Sequence, residues 1–188
     1  MASGVIQGGR SSSEIESDIH QIADNATRNI VNQFGNDFDG SVWIYEPELR
    51  DAVEKISAGN QEVILRISAA SNLVRGEPIR TSLSIYPNNP VYEQGALVFA
   101  GNYEVNDEDD AEEIVHNFLT EVNHAAVERG ILADPITHAV GVMEAPQLYE
   151  LMEKISQVHG KISLTATARE ATRSIGPLRL NISLVEKK

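Results

Sequence analysis

Residues 161–185 read KISLTATAREATRSIGPLRLNISLV, and residues 62–86 read EVILRISAASNLVRGEPIRTSLSIY. The two stretches align without a gap at a shift of 99 positions, and both alternate apolar with polar residues at the period typical of half-buried strands. The same register extends to residues 41–86 and 140–185, with eleven identities in 46 positions, where chance composition gives roughly three. The sequence therefore predicts an internal duplication.

Hydrophobic periodicity and turn residues predict helix, strand, helix, strand, strand in each copy. In the first copy, a helix capped by Ser13 runs to about residue 34, and a second helix begins at Pro47. Strands follow at 61–69, at 78–86 and, without a counterpart in the second copy, at 96–105. The second copy is predicted to have a helix to about residue 129, a strand at 136–143, a helix at 146–158 and strands at 161–168 and 178–185.

These elements predict an α+β fold with an antiparallel sheet. Residues 1–12, rich in Ser and Gly, are predicted to be a disordered tail. Residues 13–188 are predicted to form a single domain built of two repeats, 13–105 and 106–188. Because about 90 residues bury too little surface to fold alone, we expect the repeats to form a pseudo-dimer that shares one core.

Charge and composition exclude several classes of function. Fifteen Lys and Arg stand against 28 Asp and Glu, so the net charge is −13 and a phosphate backbone would be repelled. The chain has no cysteine, which excludes disulfides and thiolate chemistry. It has no apolar stretch of the ~18 residues needed to span a membrane and no signal-peptide pattern. We therefore expect a cytoplasmic protein that binds neither nucleic acid nor membrane.

The polar sides of the predicted strands are free of acidic residues, unlike the rest of this acidic chain. They carry arginine, hydroxyl and amide side chains, which favour an acidic partner or an anionic ligand over a nucleic acid. Tyr86 lies at an outward position of the same predicted strand as Arg80 and Ser84, and we include it among the candidate binding residues as an aromatic interface anchor. The candidate binding residues are Arg66, Arg80, Ser82, Ser84, Tyr86, Thr165, Thr167, Arg169, Arg179, Asn181 and Ser183.

Catalytic and metal-binding patterns are weak. The pairs Glu113/His116 and Glu121/His124 have the Glu-x-x-His spacing of helical di-metal sites, but they lie on one predicted helix and no second helix supplies partners. The turn at 36–40 lacks the full ligand set of a calcium loop. Glycine-rich nucleotide loops and the nucleophile-elbow motif are absent from the sequence. We accordingly predict no cofactor, no metal and no catalytic set.

Three functions remain open. The first is a non-enzymatic interaction or assembly protein, which binds a protein partner or its own copies through the polar sheet face or a strand edge. The second is a binding protein for a small anionic, possibly nucleotide-like ligand, held in a groove at the pseudo-twofold axis by Arg66, Arg80, Arg169 and Arg179. The third is an enzyme without a recognisable motif, for which the candidate residues are His116, His124, His138 and Glu144.

Overall fold

The computed structural model describes residues 1–35, 42–72, 74, 77–106, 110–135 and 137–187. The chain divides into two units, Met1–Asn88 (unit 1) and Asn89–Lys188 (unit 2). Both units contain helices and sheets, so the α+β class is confirmed. The acidic turn at 36–40, which the sequence suggested as a fragment of a calcium loop, lies outside the described residues.

Unit 1 is a four-stranded sheet with two helices. Its elements are β1 (Ala2–Gln7), α1 (Ser12–Phe34), β2 (Val42–Trp43), α2 (Glu46–Ala58), β3 (Glu62–Ala69) and β4 (Ile79–Pro87). The strand order is β1-β3-β4-β2. The pairs β1–β3 and β3–β4 are antiparallel, whereas β2 runs parallel to β4 and pairs with only its first two residues.

Helix α1 begins at a capping box. The Ser11 hydroxyl accepts a hydrogen bond from the Glu14 amide, and the Glu14 carboxylate accepts one from the Ser11 amide. The cap predicted at Ser13 is therefore wrong by two residues. The apolar residues that recur at helical spacing along this helix are all buried: Ile15, Ile19, Ile22, Ala26 and Ile30.

The predicted disordered tail is wrong, because it contains β1. The whole of this strand pairs with β3, from Glu62 to Ile67, and the Ile6 side chain is fully buried. The glycines that suggested disorder permit close packing instead. A Cβ built on Gly4 would lie 2.7 Å from the Ile22 side chain, so any larger residue here would require Ile22 of α1 to shift.

Unit 2 repeats this arrangement and adds a two-stranded ribbon. Its elements are β5 (Pro90–Tyr92), β6 (Leu97–Val105), α3 (Asp110–Glu128), β7 (Gly141–Val142), α4 (Ala145–Ser156), β8 (Gly160–Ala168), β9 (Thr172–Arg173) and β10 (Leu178–Glu186). The main sheet has the order β6-β8-β10-β7, and β5 pairs with β9. As in unit 1, the short strand is parallel to its neighbour and the other pairs are antiparallel.

Two boundaries differ from the predictions. Strand β6, assigned from the sequence to the first repeat, pairs with β8 in unit 2, so the division falls after Asn88 and not at residue 105. Residue 136 lies outside the described residues, and of the described part of the strand predicted at 136–143 only Gly141 and Val142 are in a strand. His138, just before it, has a positive φ of 58°. Most other element ends agree within about two residues, which is the usual uncertainty of such assignments.

The buried side chains form two hydrophobic clusters, one in each unit. The unit 1 cluster joins α1 and α2 to the inner face of its sheet, and Leu65 and Ile67 are fully buried there. The unit 2 cluster surrounds Phe118, whose ring lies 5.8 Å from Phe99 and 6.2 Å from Tyr103 between centroids. The prediction of one shared core is therefore wrong: two helices over four strands bury enough apolar surface for a cluster in each unit.

Candidate interaction surface

The middle of the outer face of the unit 2 sheet is uncharged. Cross-strand neighbours form three rows on it: Leu97, Thr167 and Asn181; Ala100, Thr165 and Ser183; Asn102, Ser163 and Val185. No position in these rows is ionisable, and Val185 is 60% exposed. Four predicted residues, Thr165, Thr167, Asn181 and Ser183, therefore lie together in an uncharged band. The next row of the same face pairs Glu104 with Lys161.

The two predicted arginines of unit 2 lie at the end of this face. The Arg169 amide donates to the Arg179 carbonyl at 2.8 Å where β8 and β10 end their pairing. The Arg179 Nε lies 3.5 Å from Glu170 Oε1, and both side chains are more than half exposed. An acidic residue of the same unit thus already neutralises much of the Arg179 charge, although an exposed pair of this kind contributes little to stability.

The predicted residues of unit 1 lie along β3 and β4. Arg66 is directly opposite Ser84, its Nε donates to Ser3 Oγ at 3.3 Å, and its guanidinium lies 5.7 Å from the centre of the Tyr86 ring. This is a cation–π arrangement. Ser82 lies one row further along, opposite Ser68.

Arg80 is exposed and separate from Arg66. The Ala70 amide donates to the Arg80 carbonyl, which places Arg80 four strand positions from the Arg66 row. That distance is roughly 13 Å along the strand. Within unit 1 the two arginines therefore do not form a single anion site, and Arg169 and Arg179 belong to unit 2.

Strand β10 has an open edge. The Leu178 amide donates to the Val140 carbonyl on the β7 side, whereas the Arg179 carbonyl accepts on the β8 side. Because these directions alternate along a strand, Leu180, Ile182 and Leu184 direct their amides and carbonyls away from β8. Strand β7 pairs with Leu178 and Arg179 on that side. Because the backbone groups of Arg179 face β8, its pairing with Val142 is made through the backbone of its neighbours Leu178 and Leu180. Among the described residues, Ile182 and Leu184 therefore have no strand partner on that side. We call their backbone groups the β10 edge.

A groove runs between the β10 edge and helix α4. It has a volume of about 700 Å³. Residues on one face of α4 line it, including Gln147, Glu150 and Lys154, while β10 contributes Leu180 to Leu184. We call it the α4 groove. A groove between a helix and an unpaired strand is the geometry in which proteins accept an added strand from a partner.

The corresponding edge of unit 1 is covered. Glu48 Oε1 accepts a hydrogen bond of 2.7 Å from the Leu83 amide of β4. Thr81 Oγ1 also donates to the Trp43 carbonyl at 3.0 Å. At a shift of 99 residues, Glu48 corresponds to Gln147 and Leu83 to Ile182. Within the described part of the chain, no hydrogen bond joins Gln147 to β10.

The histidine candidates do not assemble a catalytic set. His116 and His138 line a shallow concavity of about 450 Å³ together with Asn123, whose Oδ1 accepts from the Val140 amide at 3.0 Å. His124 and Glu144 do not line it, nor does any carboxylate of the residues that the structure describes. The described residues contain no group of three or more acidic, histidine or cysteine side chains placed to hold a metal ion.

The sequence analysis did not single out the α4 groove. It named a strand edge in general terms and concentrated on the polar face. The alternation of apolar and polar residues identifies the two faces of a strand, whereas an unpaired edge can be identified only once the order of the strands is known. The usable signal was the difference between Glu48 and Gln147, which align at the shift of 99 residues. A carboxylate at the third position of one helix has a neutral counterpart in the other.

None of the helices in the described ranges is both long and apolar enough to cross a membrane. Comparisons with curated proteins and with solved structures find no match. One family model matches residues 92–188, just over half of the chain. The matched segment contains both helices of unit 2, α3 and α4, together with the strands from β6 to β10. The chain belongs to the family described as the DUF3084-associated C-terminal helical hairpin.

Proposed function

We propose that this protein is a non-enzymatic interaction module that binds an extended protein segment by strand addition at the β10 edge. The observation that carries the proposal is the difference between the units: Glu48 occupies the edge of β4, whereas Gln147 leaves the β10 edge facing a groove. An unpaired edge donates and accepts main-chain hydrogen bonds, and the neighbouring groove receives alternate side chains.

The edge is a better candidate than the polar sheet face. Natural sheets protect exposed edges with charges, proline or covering elements, because unpaired backbone groups recruit other strands. From Ile182 to Val185 the strand has none of these protections. The polar face, by contrast, presents hydroxyl and amide groups that water satisfies.

We also infer that the two units derive from one duplicated module. The inference is supported by the common strand order and by element starts that are 99 residues apart: 42 and 141, 46 and 145, 79 and 178. On this view, one copy has kept its edge closed and the other has it available for binding. The cytoplasmic location and the alternative anionic ligand remain predictions from the sequence.

A peptide selection tests the proposed function. Full-length protein, immobilised sparsely so that copies do not meet, is used to select binders from a displayed library of random twelve-residue peptides. We expect peptides with alternating apolar residues, and we expect their binding to fall at least tenfold in Gln147→Glu. That variant supplies the carboxylate that closes the edge in unit 1, and an acidic residue in the first helical turn also favours the helix dipole.

Two controls separate the edge from general effects. Gln33→Glu adds the same charge on α1, where the side chain is exposed, and should leave binding unchanged. Thr165→Arg alters the outer face without touching the edge and should also leave binding unchanged. Selected peptides that bind Gln147→Glu as well as wild type, or that lose binding in Thr165→Arg alone, would contradict the proposal.

A further inference from the structure

We propose that the concavity lined by His116 and His138 binds a small organic carboxylate with an apolar body. The concavity, called the histidine pocket from here on, has a volume of about 450 Å³, which lies in the range of small-molecule sites in proteins. It borders the α4 groove at Met143 and Leu180. Side chains hold the ligand here, whereas the β10 edge offers backbone groups, so the site does not depend on strand addition.

The apolar part of the histidine pocket comes from α3, from β10 and from the segment that contains β7. Four of its residues are buried and two are half-buried: Val122, Val140, Leu178 and Leu180, then Leu119 and Met143. An apolar ligand body that covers these side chains removes their remaining surface from water, which favours binding.

The polar side chains of the pocket offer N–H donors. Asn123 Oδ1 accepts from the Val140 amide at 3.0 Å, and because a donor can pair only with the oxygen, the Asn123 Nδ2 atom keeps two N–H groups for a ligand. Each imidazole of His116 and His138 carries at least one further N–H. Within the described part of the chain, these three donor groups have no hydrogen-bond acceptor.

The two hydroxyl groups that line the pocket are already used as donors. Thr120 Oγ1 donates to the His116 carbonyl at 2.9 Å. Thr137 Oγ1 donates to Asp134 Oδ1 at 3.2 Å. The donors left for a ligand are therefore the N–H groups, and an ionised carboxylate supplies acceptor oxygens only, which is the complementary chemistry.

Charge also favours an anionic ligand. The chain has 28 Asp and Glu in 188 residues, yet none of the described residues that line the pocket is acidic. At a shift of 99 residues, Asn123 corresponds to Asp24 and His138 to Asp39, so the second copy lacks two carboxylates that the first carries. The Asp134 carboxylate, in the turn before His138, accepts two hydrogen bonds within that turn at Oδ1.

The backbone of the turn holds His138 in one orientation. Its φ of 58° lies in the left-handed region, which few residues other than glycine occupy. The His138 amide donates to the Asp134 carbonyl at 3.0 Å, and the Asp134 amide donates to the Ala139 carbonyl at 2.8 Å. A conformation of this kind, maintained by its surroundings, is typical of ligand-binding positions. The imidazole is thus ordered before a ligand arrives, which lowers the entropic cost of binding.

Two probes with the same apolar body and opposite charges test the proposal: 3-phenylpropionate and 3-phenylpropylamine. Each is added to the isotope-labelled full-length protein, up to about 10 mM, the range in which a ligand of this size binds. We expect 3-phenylpropionate to cause saturable nuclear magnetic resonance shifts at the residues that line the pocket. The amine should bind there about tenfold more weakly, because it offers no acceptor to the N–H groups.

Asn123→Asp should reverse the preference between the probes. Aspartate keeps an oxygen for the Val140 amide but replaces the two N–H donors by a negative charge. Binding of 3-phenylpropionate should weaken about tenfold, and binding of the amine should strengthen. Asn117→Asp is the matched control, because Asn117 is exposed on the same helix and does not line the pocket. It should leave the binding of both probes unchanged.

The histidines are tested separately. His138→Asn removes the imidazole but supplies a residue that tolerates the left-handed backbone, and His116→Ala removes the other ring. Each should weaken binding of 3-phenylpropionate about fivefold, whereas His124→Ala, on α3 but outside the pocket, should not. The proposal is overturned if the wild type shows no saturable shifts at the pocket, if the acid and the amine bind equally, or if Asn123→Asp binds the acid as well as the wild type does.

Discussion

The Glu48 carboxylate receives the Leu83 amide at 2.7 Å, and this contact closes the free side of β4. It is a charge-assisted hydrogen bond to a backbone amide, the kind that contributes more than a neutral pair. The matched position in the other unit carries an amide side chain in place of the carboxylate. One side chain thus separates a closed edge from an open one.

Removing that carboxylate should open the edge of β4. In Glu48→Ala, the Leu83 amide loses its hydrogen-bond acceptor. The hydrogen exchange of that amide, measured by nuclear magnetic resonance, should accelerate about tenfold, because a factor of ten corresponds to the net free energy of a typical hydrogen bond. Glu46→Ala is the control, because Glu46 forms only an exposed ion pair with Arg50 at 3.5 Å. Equal acceleration in both variants would mean that Glu48 does not protect the edge.

Truncation of Phe118 should destabilise unit 2 strongly. The side chain is fully buried and contacts the rings of Phe99 and Tyr103, so Phe118→Ala leaves a large cavity. The expected loss is about 3–5 kcal/mol in the free energy of unfolding, measured by urea denaturation with circular dichroism. Tyr149→Ala, at a side chain that is 69% exposed, should change it by less than about 0.5 kcal/mol.

Tyr92 should make unit 2 sensitive to alkali. Burial raises the pKa of its phenol above the ordinary value of 10.0, and the Arg129 guanidinium, 4.7 Å from the ring centre, partly opposes that rise. A group whose pKa is raised by folding stabilises the protein below its unfolded pKa, and this stability is lost as the pH rises through the folded pKa.

Unfolding measured between neutral pH and strongly alkaline pH tests this dependence. The stability of the wild type should fall above pH 10, and Tyr92→Phe should reduce that fall. Tyr149→Phe, at an exposed position, is the control. A Tyr92→Phe profile that declines as steeply as that of the wild type would show that another group governs the alkaline loss.

The capping box of α1 should contribute in a pH-dependent way. Ser11→Ala removes the cap and should cost about 1 kcal/mol of unfolding free energy at neutral pH. Hydrogen bonds from the Ser11 hydroxyl and the Ser11 amide hold the pKa of the Glu14 carboxyl below 4.5. The ionised Glu14 carboxylate therefore stabilises the folded state at pH values above the unfolded pKa, and this stabilisation is lost as the pH falls through the folded pKa. The difference in unfolding free energy between Ser11→Ala and the wild type should accordingly shrink in acid.

Thermal unfolding at several pH values measures that difference. Ser13→Ala is the matched control, because Ser13 was predicted to be the cap but lies inside the helix. A larger loss in Ser13→Ala than in Ser11→Ala would contradict the assignment of the cap.

Hydrophobic periodicity predicted the helices and the central strands, because the apolar residues that recur along each element lie on one buried face. The stripe from Ile15 to Ile30 and the alternation around Leu65 and Leu164 each correspond to one buried face. The method failed at β1, where Gly4 is required by the close approach of Ile22 and not by flexibility. It also failed at Ile64, which is fully buried on the face predicted to be polar, between its cross-strand neighbours Val5 and Tyr86.

The candidate site was predicted only in part. The sequence grouped Thr165 with Ser183 correctly, since their strands form a hairpin-like pair with a fixed register. It could not place β6 beside β8, because pairing between strands far apart in the chain depends on tertiary packing. Without that strand order, the side of β10 that lacks a partner could not be identified.

The single tryptophan has a consequence for spectroscopy. Trp43 lies in β2 of unit 1, about half exposed, with Tyr45 6.0 Å away between ring centres, whereas the aromatic cluster of unit 2 contains only phenylalanine and tyrosine. Tryptophan emission therefore reports the environment of unit 1. A denaturation curve recorded by that emission alone could miss a separate loss of unit 2, so circular dichroism or a tryptophan introduced at Phe99 is needed to observe both halves of the chain.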